Sequence, residues 1–469
     1  MAGIQFELKK IFKERSIVSM FRGVFYSTFV TIGPMLIVII CYLLLLLIMN
    51  HQHASYADKD LLASIILYVF IFSLIVTSPF GAPISRFISD SIFDERYEDI
   101  LASYYSGMVV NLVTASVLSI PFITIAIYFD RVDPLIMFLA GGMFYALVLV
   151  FYDMTYIIAL KDFRSIGMAF VYGMLVAMIL AAVCYYLIKI IFLVSILVGM
   201  TAGFTTIAFN LTAQVRRYFH VNSRNYRKFF NEFWKHRYLF LGNFFYIMGL
   251  YIHNFVFWTH PSYKVVVAET FQWAPVYDTA TFLGMMTNIS TMVIFTVRVE
   301  LRFHEKYQIF CQQVIGGVRE DIEIAKKNMF FVLRTEILFL AQMQIILSII
   351  VFLLISLFAS FLGFGGMVMV IYPTLAAGYF ALFIMYCTIV FLFYYDDQIG
   401  ALLTSMIFFF VTFIMAIIIG KYDPRIYGLA LFAGGLTALM FSLFRIRRIE
   451  KTLNRRIFCR GKLLNVAGK

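Results

Sequence analysis

The amino-acid sequence predicts an all-α polytopic membrane protein with twelve transmembrane helices and both termini in the cytoplasm. The first observation is composition: hydrophobic residues make up 62% of the chain and charged residues 14%, whereas a soluble domain is about half apolar and about a quarter charged. The second is that the apolar residues form runs of about twenty or more, the length that a helix needs to cross the hydrocarbon core. The third is that basic residues concentrate in alternate loops.

Twelve apolar runs have the required length. To within a few residues they are 22–49, 61–84, 99–128, 134–160, 165–188, 191–215, 238–258, 278–298, 329–360, 368–394, 398–420 and 425–444. The first run is too long for the apolar core of a signal peptide, and no small-residue cleavage site closes it. It is therefore interpreted as the first transmembrane helix.

The distribution of Lys and Arg predicts the orientation, because these residues are retained on the cytoplasmic side. With the N-terminus inside, 32 of the 38 Lys and Arg residues fall in cytoplasmic segments and 6 fall outside. The formal net charge of +12 is therefore expected on the cytoplasmic face, where anionic lipids are the expected partner. Nucleic acid is not an expected partner.

A strongly basic linker divides the twelve runs into two sets of six and so predicts two six-helix lobes. The predicted organisation is an interfacial amphipathic helix at 1–21, an N-terminal lobe at 22–215, a basic cytoplasmic linker at 216–237, a C-terminal lobe at 238–444 with a cytoplasmic amphipathic segment at 299–328, and a basic cytoplasmic tail at 445–469.

The amphipathic and basic cytoplasmic segments predict a docking surface for a cytoplasmic partner. The candidate docking residues are Phe6, Lys9, Lys10, Arg216, Arg217, Arg227 and Lys228. For the two amphipathic segments the alternative is a helix that lies on the inner leaflet and has no protein partner.

The sequence gives no sign of an intrinsic enzyme. It contains no GxxxxGK[ST] phosphate-binding motif, and its longest predicted soluble loop has about thirty residues, too few for an ATPase or a glycosyltransferase. The five cysteines show no CxxC and no Cys/His spacing suited to zinc. We therefore expect a transporter without catalytic residues, cofactor or metal site.

Charged residues within the spans are functional candidates, because burying a charge in the membrane is costly. They are Asp153 in the fourth span, Arg298 at the end of the eighth, and Arg334 and Glu336 early in the ninth. Pairing at the interface is the alternative for Arg334 and Glu336, and a structural hydrogen bond is the alternative for Asp153. Asp396 and Asp397 follow the tenth span, where we expect a solvated turn. Uncharged polar candidates for a cavity are Asn210, Gln214 and Asn288.

Two rows of tyrosines recur at helical spacing within the spans. Tyr372, Tyr379 and Tyr386 repeat every seven residues in the tenth span, and Tyr145, Tyr152 and Tyr156 share a face of the fourth span beside Asp153. A tyrosine offers an apolar ring and a hydroxyl that seeks a partner, which suits an uncharged sugar chain. These residues are therefore a candidate glycan path. Helix packing and interfacial aromatic belts are the alternative.

The opening stretch, MAGIQFELKK, resembles the start of the PelG family, which begins with a Met-Ala-Gly-Ile-Gly-Phe-Glu-Leu-Arg-Lys type sequence. Met1–Ile4, Phe6–Leu8 and Lys10 match it, whereas Gln5 and Lys9 depart from it.

Two further stretches resemble the same family. Thr31-Ile32-Gly33-Pro34 is similar to its S/T-x-G-P element, and Leu74–Phe93 is similar to its second span. Length and span number also agree.

The resemblance implies an inner-membrane component of the bacterial Pel exopolysaccharide machinery with a fold like that of the MOP-superfamily flippases, in which two six-helix lobes surround a central cavity. It implies a cytoplasmic PelF-like glycosyltransferase that makes the nascent N-acetylgalactosamine-rich polysaccharide, and PelD- and PelE-like membrane partners. It supplies no catalytic signature, so the candidate site residues rest on the residue patterns alone.

Three alternatives to an exopolysaccharide exporter stay open at this point. A MOP-type flippase would move a lipid-linked oligosaccharide and would use Arg298 and Arg334 as its anion site. A non-transporting membrane anchor would hold and activate the glycosyltransferase. A cation-coupled drug exporter has the least support, because no span carries an acidic pair at mid-depth.

Overall fold

The computed structural model describes residues 33–34, 36–45, 48, 55–130, 132–160, 162–261, 263–358 and 365–460. The predicted opening helix with Phe6, Lys9 and Lys10, most of the first predicted span and the last nine residues of the tail lie outside these ranges.

The described chain is almost entirely helical. Its helices are α1 (Leu36–Leu45), α2 (Tyr56–Phe93), α3 (Glu98–Tyr128), α4 (Pro134–Leu160), α5 (Phe163–Tyr186), α6 (Phe192–Tyr218), α7 (Arg227–Lys235), α8 (Arg237–Trp258), α9 (Pro275–Arg298), α10 (His304–Gly316), α11 (Arg319–Phe358), α12 (Gly366–Tyr394), α13 (Gln398–Ile419) and α14 (Leu429–Arg460). Eleven of the described helices are long and apolar enough to span a membrane, and they coincide with the second to twelfth predicted spans. The prediction of an all-α, multi-pass membrane protein is confirmed.

The chain forms two compact units. The first contains the described residues up to Ile247 together with Lys264–Trp273, and the second contains Met248–Tyr263 with the described residues from Ala274 onward. Helix α8 therefore contributes its first half to one unit and its second half to the other.

The first unit depends on close helix packing at glycines. A Cβ at Gly173 of α5 would meet the carbonyl oxygen of Gly203 at 2.7 Å, and a Cβ at Gly203 of α6 would lie 2.7 Å from the Cβ of Ala177. Gly199, one turn away on α6, lies equally close to Ala181 of α5. Membrane helices gain little from the hydrophobic effect between them, so small residues that let backbones approach supply much of the attraction.

The second unit is organised around α12, most of which is buried. Helices α9, α11 and α14 pack against it. Gly378 of α12 admits Leu431 of α14, since a Cβ there would lie 2.9 Å from the Leu431 Cβ. This packing places the tyrosine row of α12 inside the unit.

A short β-hairpin lies between α8 and α9 in the sequence. Strands β1 (Val265–Val267) and β2 (Phe271–Trp273) pair antiparallel, with Val265 opposite Trp273. The Tyr68 hydroxyl of α2 fixes the hairpin to the first unit: it donates to the Gln272 carbonyl at 2.7 Å and accepts from the Gln272 amide at 3.1 Å.

Three helices extend well beyond the predicted spans. Helix α2 begins at Tyr56 and ends at Phe93, nine residues after the predicted end. Helix α11 begins at Arg319, ten residues before the predicted start, because the polar stretch 319–328 continues the same helix. Helix α14 continues to Arg460, through much of the segment predicted to be a tail. Between α9 and α10 the chain makes one π-helical turn, Val299–Phe303, and α10 ends at Gly316.

Asp162 lies in the short connection between α4 and α5 and caps the start of α5. We expect its contribution to stability to depend on pH. Burial raises the pKa of the Asp162 carboxyl, but hydrogen bonds from the Ser165 hydroxyl and amide and from the Tyr218 hydroxyl outweigh burial, so the pKa lies below its ordinary value. Because its pKa is lowered by folding, the Asp162 carboxylate contributes its whole stabilising effect above the unfolded-state pKa. This contribution is lost as the pH falls through the folded-state pKa.

We expect Asp162→Ala to lower the free energy of unfolding by about 1 kcal/mol at neutral pH, as for other helix caps. Thermal unfolding of both proteins in detergent should show this difference above about pH 5 and should show it shrinking below about pH 4. A difference that stays constant down to pH 3 would mean that the carboxylate charge contributes nothing.

Candidate functional site

Asp153 lies fully buried on α4 and joins three helices of the first unit. Its carboxylate accepts a hydrogen bond from the Tyr104 hydroxyl of α3 at 2.8 Å and from the Thr212 hydroxyl of α6 at 2.7 Å. Each carboxylate oxygen therefore has one donor. The arrangement makes Asp153 a cross-link between helices.

The tyrosines next to Asp153 belong to the same buried cluster. The Tyr152 hydroxyl donates to the Tyr104 carbonyl at 2.8 Å and lies 3.2 Å from the Tyr156 hydroxyl. Gly107 of α3 leaves room for the Tyr152 hydroxyl. Tyr145, two turns away, bonds instead to the Ser116 and Ser119 hydroxyls at 3.0 and 2.9 Å.

An apolar cavity of about 160 Å³ lies in the first unit, and Ser119 is one of its lining residues. Tyr68, Phe122, Phe144 and Phe271 also line it. The Tyr145 hydroxyl therefore bonds to the cavity's wall, whereas Tyr152 and Tyr156 are enclosed by protein.

Removal of the Asp153 carboxylate is expected to destabilise the first unit. Asp153→Ala leaves the Tyr104 and Thr212 hydroxyls buried without their acceptor, at about 1–3 kcal/mol for each unsatisfied group. Asp153→Asn keeps one amide oxygen as an acceptor and should cost less. Thermal unfolding of the purified variants tests this order, and an alanine variant as stable as the wild type would contradict the cross-linking role.

The tyrosine row of α12 has three different environments in the second unit. Tyr372 is buried and stacks on Phe352 with ring centroids 6.0 Å apart, and its hydroxyl has no hydrogen-bond partner among the described residues. Tyr379 packs against Gly284. Tyr386 is half-buried, with its ring 6.2 Å from that of Phe295.

A polar network connects α9, α11 and α12 in the second unit. Gln344 is fully buried, and its amide donates to the Asn288 side-chain oxygen at 2.7 Å while its own oxygen accepts from Thr291. Asn288 donates to the Tyr379 carbonyl at 3.0 Å. The Gln344 amide also contacts Ser348 at 3.3 Å.

Ser348 lines a groove of about 320 Å³ between α11 and α12. Phe352, which stacks on Tyr372, lines it together with Pro373 and Phe380. Asn288 is therefore connected to the groove through Gln344 and Ser348.

The charged candidates form two separate pairs. Glu336 is buried and accepts both guanidinium contacts of Arg298, with one N–O distance of 2.9 Å, while Arg302 approaches at 3.4 Å. Arg334, whose side chain is 64% exposed, bonds instead to Glu450 of α14 at 2.5 and 2.7 Å. Arg298 and Arg334 therefore do not converge on one site.

The prediction of a solvated turn at Asp396–Asp397 is wrong for Asp397. This residue is buried, and Arg445 of α14 donates two hydrogen bonds of 2.8 Å to its carboxylate. The partner lies 48 residues away in the sequence, so no local pattern indicated it. Tyr104 and Thr212 were missed as partners of Asp153 for the same reason.

Some of the remaining polar and basic candidates are already bonded to other side chains, whereas others are exposed. Asn210 and Gln214 bond to each other along α6 at 2.7 Å. Lys228 forms an ion pair with Asp99 of α3. Arg216, Arg217 and Arg227 are exposed.

Comparison with known proteins assigns the family. Residues 1–458 match the sequence profile of the family described as "PelG: Putative exopolysaccharide Exporter (EPS-E)". The chain belongs to the PelG family. The prediction from the opening stretch is confirmed, and no curated protein matches the chain.

Solved structures show the fold that this PelG chain shares. An outward-facing multidrug resistance MATE family transporter of the MOP superfamily is 13% identical, with a TM-score of 0.60 over 92% of this chain and 96% of that one. A mutant of the Vibrio cholerae MATE transporter VcmN is 9% identical, with a TM-score of 0.64 over 92% and 96%.

A MOP superfamily transporter from Pyrococcus furiosus, described as having a binding pocket of reverse polarity, is 12% identical, with a TM-score of 0.58 over 91% and 96%. At these identities the likeness shows the fold alone. The PelG chain therefore shares the fold of these transporters.

Proposed function

We propose that this PelG chain exports a growing Pel-type, N-acetylgalactosamine-rich exopolysaccharide across the bacterial inner membrane, coupled to a cytoplasmic glycosyltransferase. The match to an exopolysaccharide exporter family over residues 1–458 carries the proposal, and the transporter fold supports it. Polymerisation pushes the chain outward, so export needs no ion gradient.

In this proposal the tyrosine rows have two roles. Tyr372, Tyr379 and Tyr386 in the second unit and Tyr145 in the first offer ring faces and hydroxyls to the glycan, with Asn288, Asn210 and Gln214 as uncharged hydrogen-bonding groups. Tyr152, Asp153 and Tyr156 position the helices that carry them. The buried Tyr372 hydroxyl, which has no partner within the described part of the chain, supports a ligand role, because such a group costs about 1–3 kcal/mol and gains a partner when a sugar binds.

The orientation and the partners complete the proposal. Both termini face the cytoplasm, and a PelF-like glycosyltransferase docks on the basic face that carries the exposed Arg216 and Arg217. PelD- and PelE-like proteins are its membrane partners. Lys228 does not contribute to docking, because Asp99 binds it.

The flippase alternative has less support from the charged side chains. A lipid diphosphate needs converging cations, but Arg298 bonds to Glu336 and Arg334 bonds to Glu450. Loss of transport in an Arg298→Gln/Arg334→Gln variant, with lipid-linked sugar accumulating inside the cell, would favour the flippase.

Purification of the protein from cells that express the whole gene cluster tests the proposal. A retained glycosyltransferase together with polymeric hexosamine is expected. A short glycan on a lipid diphosphate without the transferase would support the flippase. Export that stops when the proton or sodium gradient collapses, at unchanged glycosyltransferase activity, would contradict the proposed coupling.

Tyr372→Phe is expected to reduce export without loss of stability. The variant removes only the unpartnered hydroxyl, so thermal stability should stay equal or rise, while loss of one hydrogen bond to the glycan should lower export about fivefold. Tyr422→Phe, at an exposed tyrosine near the start of α14, is the matched control. Unchanged export with a normal amount of protein would favour the non-transporting anchor.

A further inference from the structure

Helix α7 has two faces of different character, although it is only nine residues long. Phe229, Phe233 and the adjoining His236 are buried or half-buried and follow helical spacing. The opposite face exposes Arg227, Phe230 and Trp234; 55% of Phe230 and 69% of Trp234 are accessible.

The buried face attaches α7 to two membrane-spanning helices of the first unit. Phe233 packs on Phe80 of α2, with ring centroids 5.6 Å apart. Phe229 packs where Gly107 of α3 leaves room for it.

Polar contacts hold the start of α7 in the same place. Lys228 pairs with Asp99 of α3, the Ser106 hydroxyl donates to the Tyr226 carbonyl at 3.3 Å, and the Ser223 amide donates to the Glu98 carbonyl at 3.1 Å. Helix α7 is therefore fixed against the wall of the membrane domain.

The length of α3, compared with the thickness of a bilayer, indicates how deep in the membrane α7 is attached to α3. Its 31 residues extend about 46 Å at about 1.5 Å per residue, while the hydrocarbon core is about 30 Å thick and the bilayer with headgroups about 40–45 Å. Gly107 lies nine residues after Glu98, or about 13 Å from the helix start. With α3 centred on the bilayer, about 8 Å of it lies outside the hydrocarbon at each end, so Phe229 meets α3 about 5 Å inside the boundary between headgroups and hydrocarbon.

The segment between α6 and α8 is also strongly basic. Residues 219–237 contain five Lys or Arg and a single acid, Glu232, which pairs with Lys235 at 3.2 Å. Arg224 and Arg227 are exposed. The Arg237 guanidinium lies 5.7 Å from the centre of the Trp234 ring, a geometry of cation–π attraction.

We propose that α7 is a membrane-surface anchor: Phe230 and Trp234 insert at the headgroup level, and Arg224 and Arg227 bind the headgroups of anionic phospholipid. An exposed aromatic pair flanked by bases is the pattern of a helix that lies in the membrane interface, and Trp is enriched there. The anchor ties the connection between α6 and α8 to the lipid surface, whatever the exporter carries.

The observations favour lipid over a protein partner for this face. Because Phe229 meets α3 close to the headgroup boundary, α7 lies at a depth where lipid surrounds a membrane protein, and the exposed Phe230 and Trp234 with their neighbouring bases suit that surrounding. A protein partner at the same place would have to displace that lipid.

The depth of Trp234 tests the proposal. The chain has three tryptophans, and the difference in fluorescence between wild type and Trp234→Phe isolates the signal of this one. The full-length protein is reconstituted in phosphatidylcholine–phosphatidylglycerol vesicles that contain lipid brominated either near the headgroup or near the chain end. We expect Trp234 to be quenched by the shallow bromine and protected from aqueous iodide.

The preference of α7 for anionic lipid is measured by placing the bromine on one of the two phospholipids at a time. Brominated phosphatidylglycerol should quench Trp234 more than brominated phosphatidylcholine at the same mole fraction. Arg224→Gln/Arg227→Gln should reduce this preference, by about fivefold for each arginine in contact with the headgroups. Lys421→Gln/Arg425→Gln, exposed bases on another connection, is the control and should leave it unchanged.

Two results would overturn the anchor. Strong iodide quenching of Trp234 with no bromine quenching would place it in water, where it would be available to a protein partner. Equal quenching by both brominated lipids in the wild type would exclude a preference for anionic headgroups. Neither result depends on whether the protein exports polysaccharide.

Discussion

Glu336→Ala is expected to lower the free energy of unfolding by about 3–5 kcal/mol, because it leaves Arg298 half-buried without its counter-charge. Glu336 is 2% exposed at its side chain and Arg298 20%. Arg298 also lies over the Phe339 ring at 3.7 Å from its centre, so the guanidinium cannot easily turn toward water. Thermal unfolding in detergent measures the loss.

Arg334→Ala is the matched control on the same helix. Its ion pair with Glu450 is largely exposed, so removing it should cost no more than about 1 kcal/mol. The double variant Arg298→Met/Glu336→Leu replaces the buried pair with apolar groups and should recover most of the stability. Equal losses for Glu336→Ala and Arg334→Ala would contradict the distinction between the two pairs.

Gly203→Leu is expected to prevent correct packing of the first unit. A Cβ at Gly203 already meets the Gly173 carbonyl oxygen and the Ala177 Cβ, each at 2.7 Å, and neither group can rotate away. Overpacking of this kind costs about 1–3 kcal/mol and more where backbone must move. We expect at least about 3 kcal/mol here, because a Leu side chain would separate α5 from α6.

The yield of monodisperse protein and its unfolding temperature measure this effect. Gly366→Ala is the control: it lies in the first turn of α12, and a Cβ there meets nothing within 4 Å, so its stability should stay equal or rise by about 0.5 kcal/mol. A Gly203→Leu protein with normal yield and unfolding temperature would show that α5 and α6 tolerate a wider separation.

The spans could be predicted from the sequence because membrane crossing depends on local composition and length. The pairing of charges could not, because it depends on which helices meet. Arg334 and Glu336 illustrate this: two residues apart, they differ by about 200° around the helix axis. The helical repeat places the two side chains on different faces, but it does not predict that Arg334 binds Glu450 and that Glu336 binds Arg298.

The tyrosines show the same limit in another form. Helical spacing correctly grouped Tyr152 and Tyr156, but exposure cannot be inferred from spacing. The structure encloses both residues with Asp153, Tyr104 and Thr212. Only tertiary packing distinguishes them from Tyr372, whose hydroxyl has no partner among the described residues.

The 40 residues of α11 make a rod about 60 Å long, roughly twice the thickness of the hydrocarbon core. Near its first turns Glu323 accepts from Asn454, and further along Arg334 bonds to Glu450, so α14 contacts it at two points. About half of this rod lies beyond the hydrocarbon core, and that part forms a stiff stalk bonded to α14 at two points. In electron micrographs, where a detergent belt hides most features of a small membrane protein, this stalk gives each particle a recognisable direction for alignment.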